Sequence, residues 1–295
     1  MKESENTNHI KLRFGLPSPS NGFEKFLKGE KNELYADTNS KNRFYYESRV
    51  KKIIKLILES NLPHKSKILD LGCASGNISL PLIFHGFDVY SVDIKQNVLG
   101  WCNKKAKTNK LKSCSIVANA LDLPFKDEVF DCVVATEMIE HLDSPSEGID
   151  EIKRVLKEGG TIVLSTPNRE NINFNKAPKY SSVKDTEREL ENRFLPSELR
   201  YELEMPDYAG ARHIFEFRES ELTQFLEERG LIIDEITKAN NKMLSNIGVK
   251  LPLDYDKLLK IDEKYSNSLF SKWLYNNLIV RCFKPANRKS THGHK

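Results

Sequence analysis

Apolar residues in this chain gather into short, evenly spaced runs. The runs at 67–72, 88–93, 114–119, 129–135, 161–166, 231–237 and 277–284 are nearly continuous in hydrophobic character, which predicts strands buried on both faces. Between them the pattern changes to a helical period, predicting helices over 77–85, 96–108, 145–157 and 219–229. An earlier helix opens near Arg43, with Val50, Ile53, Ile54, Ile57 and Leu58 on one face, and ends before Pro63. Gly159-Gly160 reads as a helix stop ahead of the next strand. Strands alternating with helices predict an α/β fold, a doubly wound and mostly parallel sheet with helices on both faces.

The alternation is interrupted twice, and this divides the chain. Residues 1–42 are polar, with Pro17 and Pro19, and read as an N-terminal arm. The α/β core is expected over 43–166. Residues 167–213 are long, polar and poor in strand signals, which predicts a helical insertion over a site rather than a structureless loop. The sheet is completed over 214–285, with a second insertion at 240–276. Residues 286–295 read as a disordered tail.

Composition narrows the function classes. The 295 residues are 39% hydrophobic and 30% charged, enough to bury a sizeable core. A formal net charge of +4, with Lys and Arg scattered, does not by itself indicate nucleic acid. No run approaches the length of a membrane span or a signal peptide. The five cysteines, at 73, 102, 114, 132 and 282, form no CxxC, and they read as reduced thiols of a cytoplasmic protein.

The candidate chemistry lies at strand ends. In Ile68-Leu-Asp-Leu-Gly-Cys-Ala-Ser-Gly-Asn77 an apolar run closes on Asp70, and Gly72 and Gly76 frame a turn into a helix. Asp93 ends the second strand roughly 20 residues further on, where an acid can accept from both hydroxyls of a ribose. These two features suit an adenosine cofactor without choosing between a dinucleotide and another. The loop reads Gly72-x-Ala74-x-x-Asn77 rather than GxGxxG, which counts against a dinucleotide.

Three further segments follow in order. They are Asn119-Ala-Leu-Asp-Leu-Pro-Phe125, Phe130-Asp-Cys-Val-Val-Ala-Thr-Glu-Met-Ile-Glu-His-Leu142 and Val155-Leu-Lys-Glu-Gly-Gly-Thr-Ile-Val-Leu-Ser-Thr-Pro-Asn168. With the first segment they resemble the successive motifs of the class I S-adenosylmethionine-dependent methyltransferases, over about residues 45–237. That resemblance implies a seven-stranded Rossmann-like sheet and S-adenosyl-L-methionine as cofactor. It implies cofactor contacts from Asp70, Gly72, Cys73, Ala74, Gly76, Asp93, Ile94, Asn119, Ala120, Leu121, Thr136 and Glu137. Ala74 stands where the family has its middle glycine, and Asn119 where it usually has an acid. An amide both donates and accepts, so Asn119 is able to pair with an adenine edge.

The same resemblance directs attention to His141, His213 and Glu140 as catalytic candidates. If the turn after the fourth strand is helical, Glu137, Glu140 and His141 share a face at i, i+3 and i+4. With His213 they make a set able to bind Mg or Mn. Ubiquinone-pathway O-methyltransferases carry a similar Glu-x-x-Glu-His turn. The small-RNA 3′-terminal 2′-O-methyltransferases hold a metal with matching residues. Three roles stay open for these side chains: metal ligation, action as base or acceptor contact, and a purely structural one. Three functions stay open with them: O-methylation of a small-molecule or sugar-like acceptor, metal-dependent methylation of an RNA 3′-terminal ribose, and a non-catalytic cofactor-binding regulatory partner. The first is favoured, since no strong basic stripe is present for RNA and the acidic cluster is intact. Arg43, Tyr45, Tyr46 and Arg49 read as the amphipathic edge of the first helix rather than as site residues.

Overall fold

The computed structural model describes residues 40–171, 213–241, 260–262, 264–268 and 271–286. The arm at 1–39, the insertion residues 172–212 and 242–259, and the tail at 287–295 lie outside the described residues.

Seven strands form one sheet in the order β3-β2-β1-β4-β5-β7-β6. They are β1 (Lys67–Leu71), β2 (Asp88–Asp93), β3 (Cys114–Val117), β4 (Phe130–Thr136), β5 (Leu156–Pro167), β6 (Ile232–Asn241) and β7 (Tyr275–Phe283). The first five strands pair in parallel. Strand β7 is antiparallel to both β5 and β6 and lies between them. The helices are α1 (Ser40–Glu59), α2 (Ser79–Phe84), α3 (Gln96–Thr108), α4 (Pro145–Val155), α5 (Glu219–Glu227) and the short α6 (Ser271–Leu274). The seven-stranded, mostly parallel sheet matches the fold class expected from the sequence. No helix among the described residues is long and apolar enough to cross a membrane.

Both faces of the sheet are buried, which is why its strands read as continuous apolar runs. Leu69, Leu71, Val133, Ala135, Ile162 and Leu164 pack with Ile149 and Ile152 of α4 and Leu222, Phe225 and Leu226 of α5. The alternate positions Ile68, Cys132, Val134 and Val163 pack with Ile53, Ile54 and Ile57 of α1 and Leu82 of α2. The side-chain period of two therefore turns Asp70 toward the α1 and α2 face, where Ser79 meets it. Helix α4 has a clear start: the Ser144 side chain accepts from the Glu147 N–H, and Pro145 sits at its beginning.

Strand limits differ from the sequence expectation in three places. Helix α4 stops at Val155, because Leu156 already pairs with Phe130. Gly159 and Gly160 thus lie in an irregular start of β5, where they exchange backbone hydrogen bonds with Lys284. Strand β3 ends at Val117, since Asn119 enters a turn in which its carbonyl accepts from the Asp122 N–H. Strand β6 continues to Asn241, held along its length by β7, so the second interruption begins later than expected.

Ile152 is fully buried between α4 and the sheet. Replacing it with alanine removes apolar contacts and leaves a cavity that the sheet cannot close. Ile152→Ala is expected to lower stability by about 2–5 kcal/mol. In urea unfolding the midpoint should fall while the slope stays unchanged.

Candidate functional site

The expected site residues collect at the carboxyl ends of β1, β2 and β4, the edge where open α/β sheets bind ligands. The loop after β1 turns on three residues with left-handed backbone: Gly72 at φ +72°, Ala74 at φ +48° and Gly76 at φ +81°. The Gly72 and Cys73 N–H groups both donate to the Val92 carbonyl, which ties the loop to β2. Gly76 is required by space as well as by its dihedral, because a Cβ there would lie 2.5 Å from Cys102 Sγ. Ala74 is not glycine, and its conformation carries a modest cost for an L-residue. Its N–H donates to Asp93 Oδ2 at 2.9 Å, an anchor that offsets the cost.

Asp93 is nearly buried and is oriented by backbone. Its Oδ1 accepts from the Lys95 N–H at 2.9 Å and its Oδ2 from Ala74. A carboxylate has about four lone-pair sites, so both oxygens keep capacity for hydroxyl donors. Burial raises its pKa, and these backbone donors act in the opposite sense. Ile94 follows, 36% exposed, an apolar surface beside the acid. Asn119 is exposed, and its side-chain oxygen accepts from the Leu121 N–H at 3.0 Å, so this amide first shapes its own turn. Ala120 is buried behind it. Asp70 is fully buried, and the Ser79 hydroxyl donates to its Oδ2 at 2.5 Å. Desolvation lifts its pKa from 3.8 to about 7 against that hydrogen bond. The Cys73 thiol donates to the Ala74 carbonyl at 3.7 Å.

A second group follows β4. Thr136 ends the strand half-buried. Glu137 has φ +51°, and the helical turn contains only Ile139–His141, as a 3-10 helix. The expected face shared by Glu137, Glu140 and His141 therefore does not form. Glu137 accepts from the Ser165 hydroxyl at 2.8 Å and from Asn277 Nδ2 at 2.5 Å, and it pairs with Arg49 at 2.7 Å. Arg49 thus turns inward to the site and is not an edge residue of α1.

Glu140, His141 and His213 do converge: one ligand-capable atom from each lies within 4.8 Å of the others. The two imidazole rings stand 5.1 Å apart between centroids. Glu140 is fully buried; Thr166 Oγ1 donates to its Oε2 at 3.1 Å, and among the described residues Oε1 accepts no hydrogen bond. Burial, and then the neighbouring Glu137 charge, push its pKa well up. His213 arrives from far along the chain because the Ile214 and Phe215 N–H groups both donate to the Glu140 carbonyl. Its Nδ1 lies 3.1 Å from Glu216 Oε1.

Several partners in this network carry no local signal. Arg49, Asn277 and Glu216 reach the site through long-range packing. Ser165 and Thr166 were legible in principle, as hydroxyls closing an otherwise apolar strand.

Comparison with known proteins bears on the family and the fold. The family described as Methyltransferase domain matches residues 69–164. The ubiquinone biosynthesis O-methyltransferase of Coxiella burnetii (strain Dugway 5J108-111) is 30% identical over 191 residues, covering 64% of this chain and 74% of that protein. The enzyme of the same name from Rickettsia akari (strain Hartford) is 32% identical over 123 residues, covering 41% of this chain and 49% of its own. The chain thus spans about half the length of that relative. Among solved structures, geranyl diphosphate C-methyltransferase from Streptomyces coelicolor A3(2) is similar with a TM-score of 0.52 at 15% identity, over 80% of this chain and 79% of that one. The cyclase SpnF has a TM-score of 0.52 at 16% identity, over 80% and 82%. At such identities the likeness concerns the fold alone, and the two differ in the reaction they are named for.

Asp70 gives the site a pH signature. Its folded pKa of about 7 lies above the ordinary 3.8, so the folded state holds an extra proton between those values. Stability should therefore fall as pH rises from about 4 to about 7, by on the order of 4 kcal/mol at most for this group. Asp70→Asn should flatten that slope in urea unfolding series at about pH 5 and pH 8. A slope equal to wild type would refute the assignment.

Proposed function

The chain belongs to the class I S-adenosylmethionine-dependent methyltransferases, and from that premise we propose that it methylates a hydroxyl oxygen of a small-molecule acceptor. The observation carrying this reading is the convergence of Glu140, His141 and His213 beside the ends of β4 and β5. The relatives' name, ubiquinone biosynthesis O-methyltransferase, supports oxygen as the attacked atom. When bound, S-adenosylmethionine supplies a methyl group already made electrophilic by its sulfonium.

The chain's residues then have three tasks. The first is to hold the cofactor. Asp93 accepts from the ribose hydroxyls, and its two oxygens, held by backbone N–H groups, fit that role. Ile94, Asn119, Ala120 and Leu121 border the adenine, and the loop from Asp70 through Gly72, Cys73, Ala74 and Gly76 lies along the remainder with Thr136 and Glu137. The second task is to orient the acceptor and exclude water, which turns a bimolecular encounter into a positioned one. Acceptor choice is assigned to segments 168–212 and 240–276, because loops at this edge select the ligand while the sheet fixes the cofactor. The third task is to take the hydroxyl proton, for which the His141 and His213 imidazoles are the bases in the metal-free site. Free cysteines suit a reducing compartment, so the reaction is assigned to the cytoplasm.

One observation favours a cation in this reading. Glu140 Oε1 is buried, accepts no hydrogen bond among the described residues, and lies 4.0 Å from His141 Nε2. A carboxylate with two imidazoles fits Mn better than Mg, which prefers all-oxygen surroundings. Glu140, His141 and His213 would hold the ion, which would polarise the acceptor hydroxyl. Glu137, engaged by Arg49, Ser165 and Asn277, is left out of this set.

Two measurements test these assignments. Asp93→Ala removes charge-assisted hydrogen bonds worth about 1.5–3 kcal/mol each. Calorimetry should therefore register at least a roughly tenfold loss of S-adenosylmethionine affinity in a folded variant. Unchanged affinity, or equally tight NAD binding by the wild type, would contradict the cofactor assignment. For the cation, exhaustive chelation should abolish methyl transfer to a small-molecule hydroxyl acceptor, and added Mn should restore it. Full turnover by metal-free protein would withdraw the ion and leave the imidazoles as bases. Transfer to an RNA 3′ end in place of the small acceptor would redirect the reading to ribose methylation.

A further inference from the structure

We propose that Glu216 is a positioning residue that fixes the tautomer of His213, so that Nε2 carries the lone pair in the Glu140–His141–His213 cluster. The inference rests on the acceptor chemistry assigned above and adds a residue to it.

The segment carrying both side chains is held at several points. Ile214 and Phe215 donate their N–H groups to the Glu140 carbonyl at 2.7 and 3.2 Å. Phe215 and Phe217 are buried in the core on either side of Glu216. The Phe217 carbonyl accepts from the Arg169 N–H, which joins the segment to the end of β5. The backbone is therefore fixed before either functional side chain is considered. On it, the Glu216 side chain is only 6% exposed and that of His213 is 37% exposed. Glu216 Oε1 stands 3.1 Å from His213 Nδ1. Its Oε2 is buried and accepts no hydrogen bond among the described residues. Among the described residues the carboxylate thus has one hydrogen-bond partner, the imidazole.

A carboxylate accepts and does not donate. Nδ1 must therefore carry the proton in this contact, and the lone pair resides on Nε2. A histidine free in water favours the opposite arrangement, with its proton on Nε2. Glu216 thereby converts the ring into one whose Nε2 is available as base or ligand. Carboxylates that orient imidazoles in this way are second only to the ligands themselves in their effect on a site. His213 and Glu216 are three residues apart, but that spacing does not mark them as a pair; the anchored backbone turns one toward the other.

The test is long-range proton–nitrogen NMR on the full chain with ¹⁵N-labelled histidine, with His213 assigned by its absence in His213→Gln. In the wild type, Nδ1 should give the signal of a protonated nitrogen and Nε2 that of a bare one. Glu216→Ala should move the proton to Nε2. Glu216→Gln, whose amide oxygen still accepts, should retain the wild-type tautomer in large part. Turnover and Mn affinity should fall about 10–100-fold in Glu216→Ala, with Glu216→Gln the milder and KM for S-adenosylmethionine unchanged in both. A wild-type His213 with its proton on Nε2, or protonated on both nitrogens at neutral pH, would overturn the proposal. So would an alanine variant that keeps the wild-type tautomer. The wild-type tautomer decides whether or not the alanine variant folds. If the tautomer is as expected but no hydroxyl acceptor is methylated, the orienting role stands and only the acceptor chemistry falls.

Discussion

Four acids crowd the carboxyl edge of three strands of the sheet, and the cost of keeping them from water shapes what surrounds them. Asp70 and Asp93 lie at the ends of β1 and β2, and Glu137 and Glu140 follow β4. Their remedies for desolvation differ. Asp70 is met by a hydroxyl relay from Ser91 through Ser79. Asp93 is met by two backbone N–H groups from loops on either side. Glu137 is met by a guanidinium, a hydroxyl and an amide from three distant parts of the chain. Glu140, like Asp70, receives a hydroxyl on one oxygen and, among the described residues, nothing on the other. Buried acids without full partners are where proton and cation chemistry is expected.

Helix α1 joins this edge to the antiparallel end of the sheet. Arg49 reaches Glu137, whereas Lys52, one turn further, pairs with Asp262 at 2.6 Å and donates to the Lys238 carbonyl. Near its end, the Leu56 carbonyl accepts from Arg281 of β7. Arg281 in turn pairs with Asp234 and Glu235 of β6. One helix therefore braces a site acid and the last two strands together. Its apolar face, with Ile53, Ile54 and Ile57, supplies the burial that makes these polar contacts persist.

The fold was legible in the sequence because both sheet faces are buried. Continuous apolar runs mark the strands, and period-two alternation decides which residues meet which helix. The loop after β1 was legible too, since Gly72 and Gly76 sit where the backbone turns left-handed. What failed was the assumption of helical spacing after β4. Glu137 adopts a left-handed conformation, which sequence does not signal for a glutamate, and the acid leaves the expected face. Arg49, Asn277 and Glu216 were illegible for another reason. Their roles depend on contacts between distant elements, and no local pattern separates them from ordinary polar residues. Where the structure leaves residues undescribed, at 172–212 and 242–259, the sequence expectation stands as it was.

The position of β7 has a consequence for how the protein comes into being. Strands β1 to β5 can pair in the order in which they leave the ribosome, each beside one already made. Strand β6 cannot, because its place in the sheet is next to β7, which is synthesised after it. Asn277 of β7 also completes the hold on Glu137, and Asn240 of β6 completes the hold on Asn277. The chain thus carries an unfinished sheet edge and an unfinished hold on Glu137 until β7 is made. A chain lacking β7 would expose the open edge of β5 to other molecules, so completion of the sheet waits on that strand.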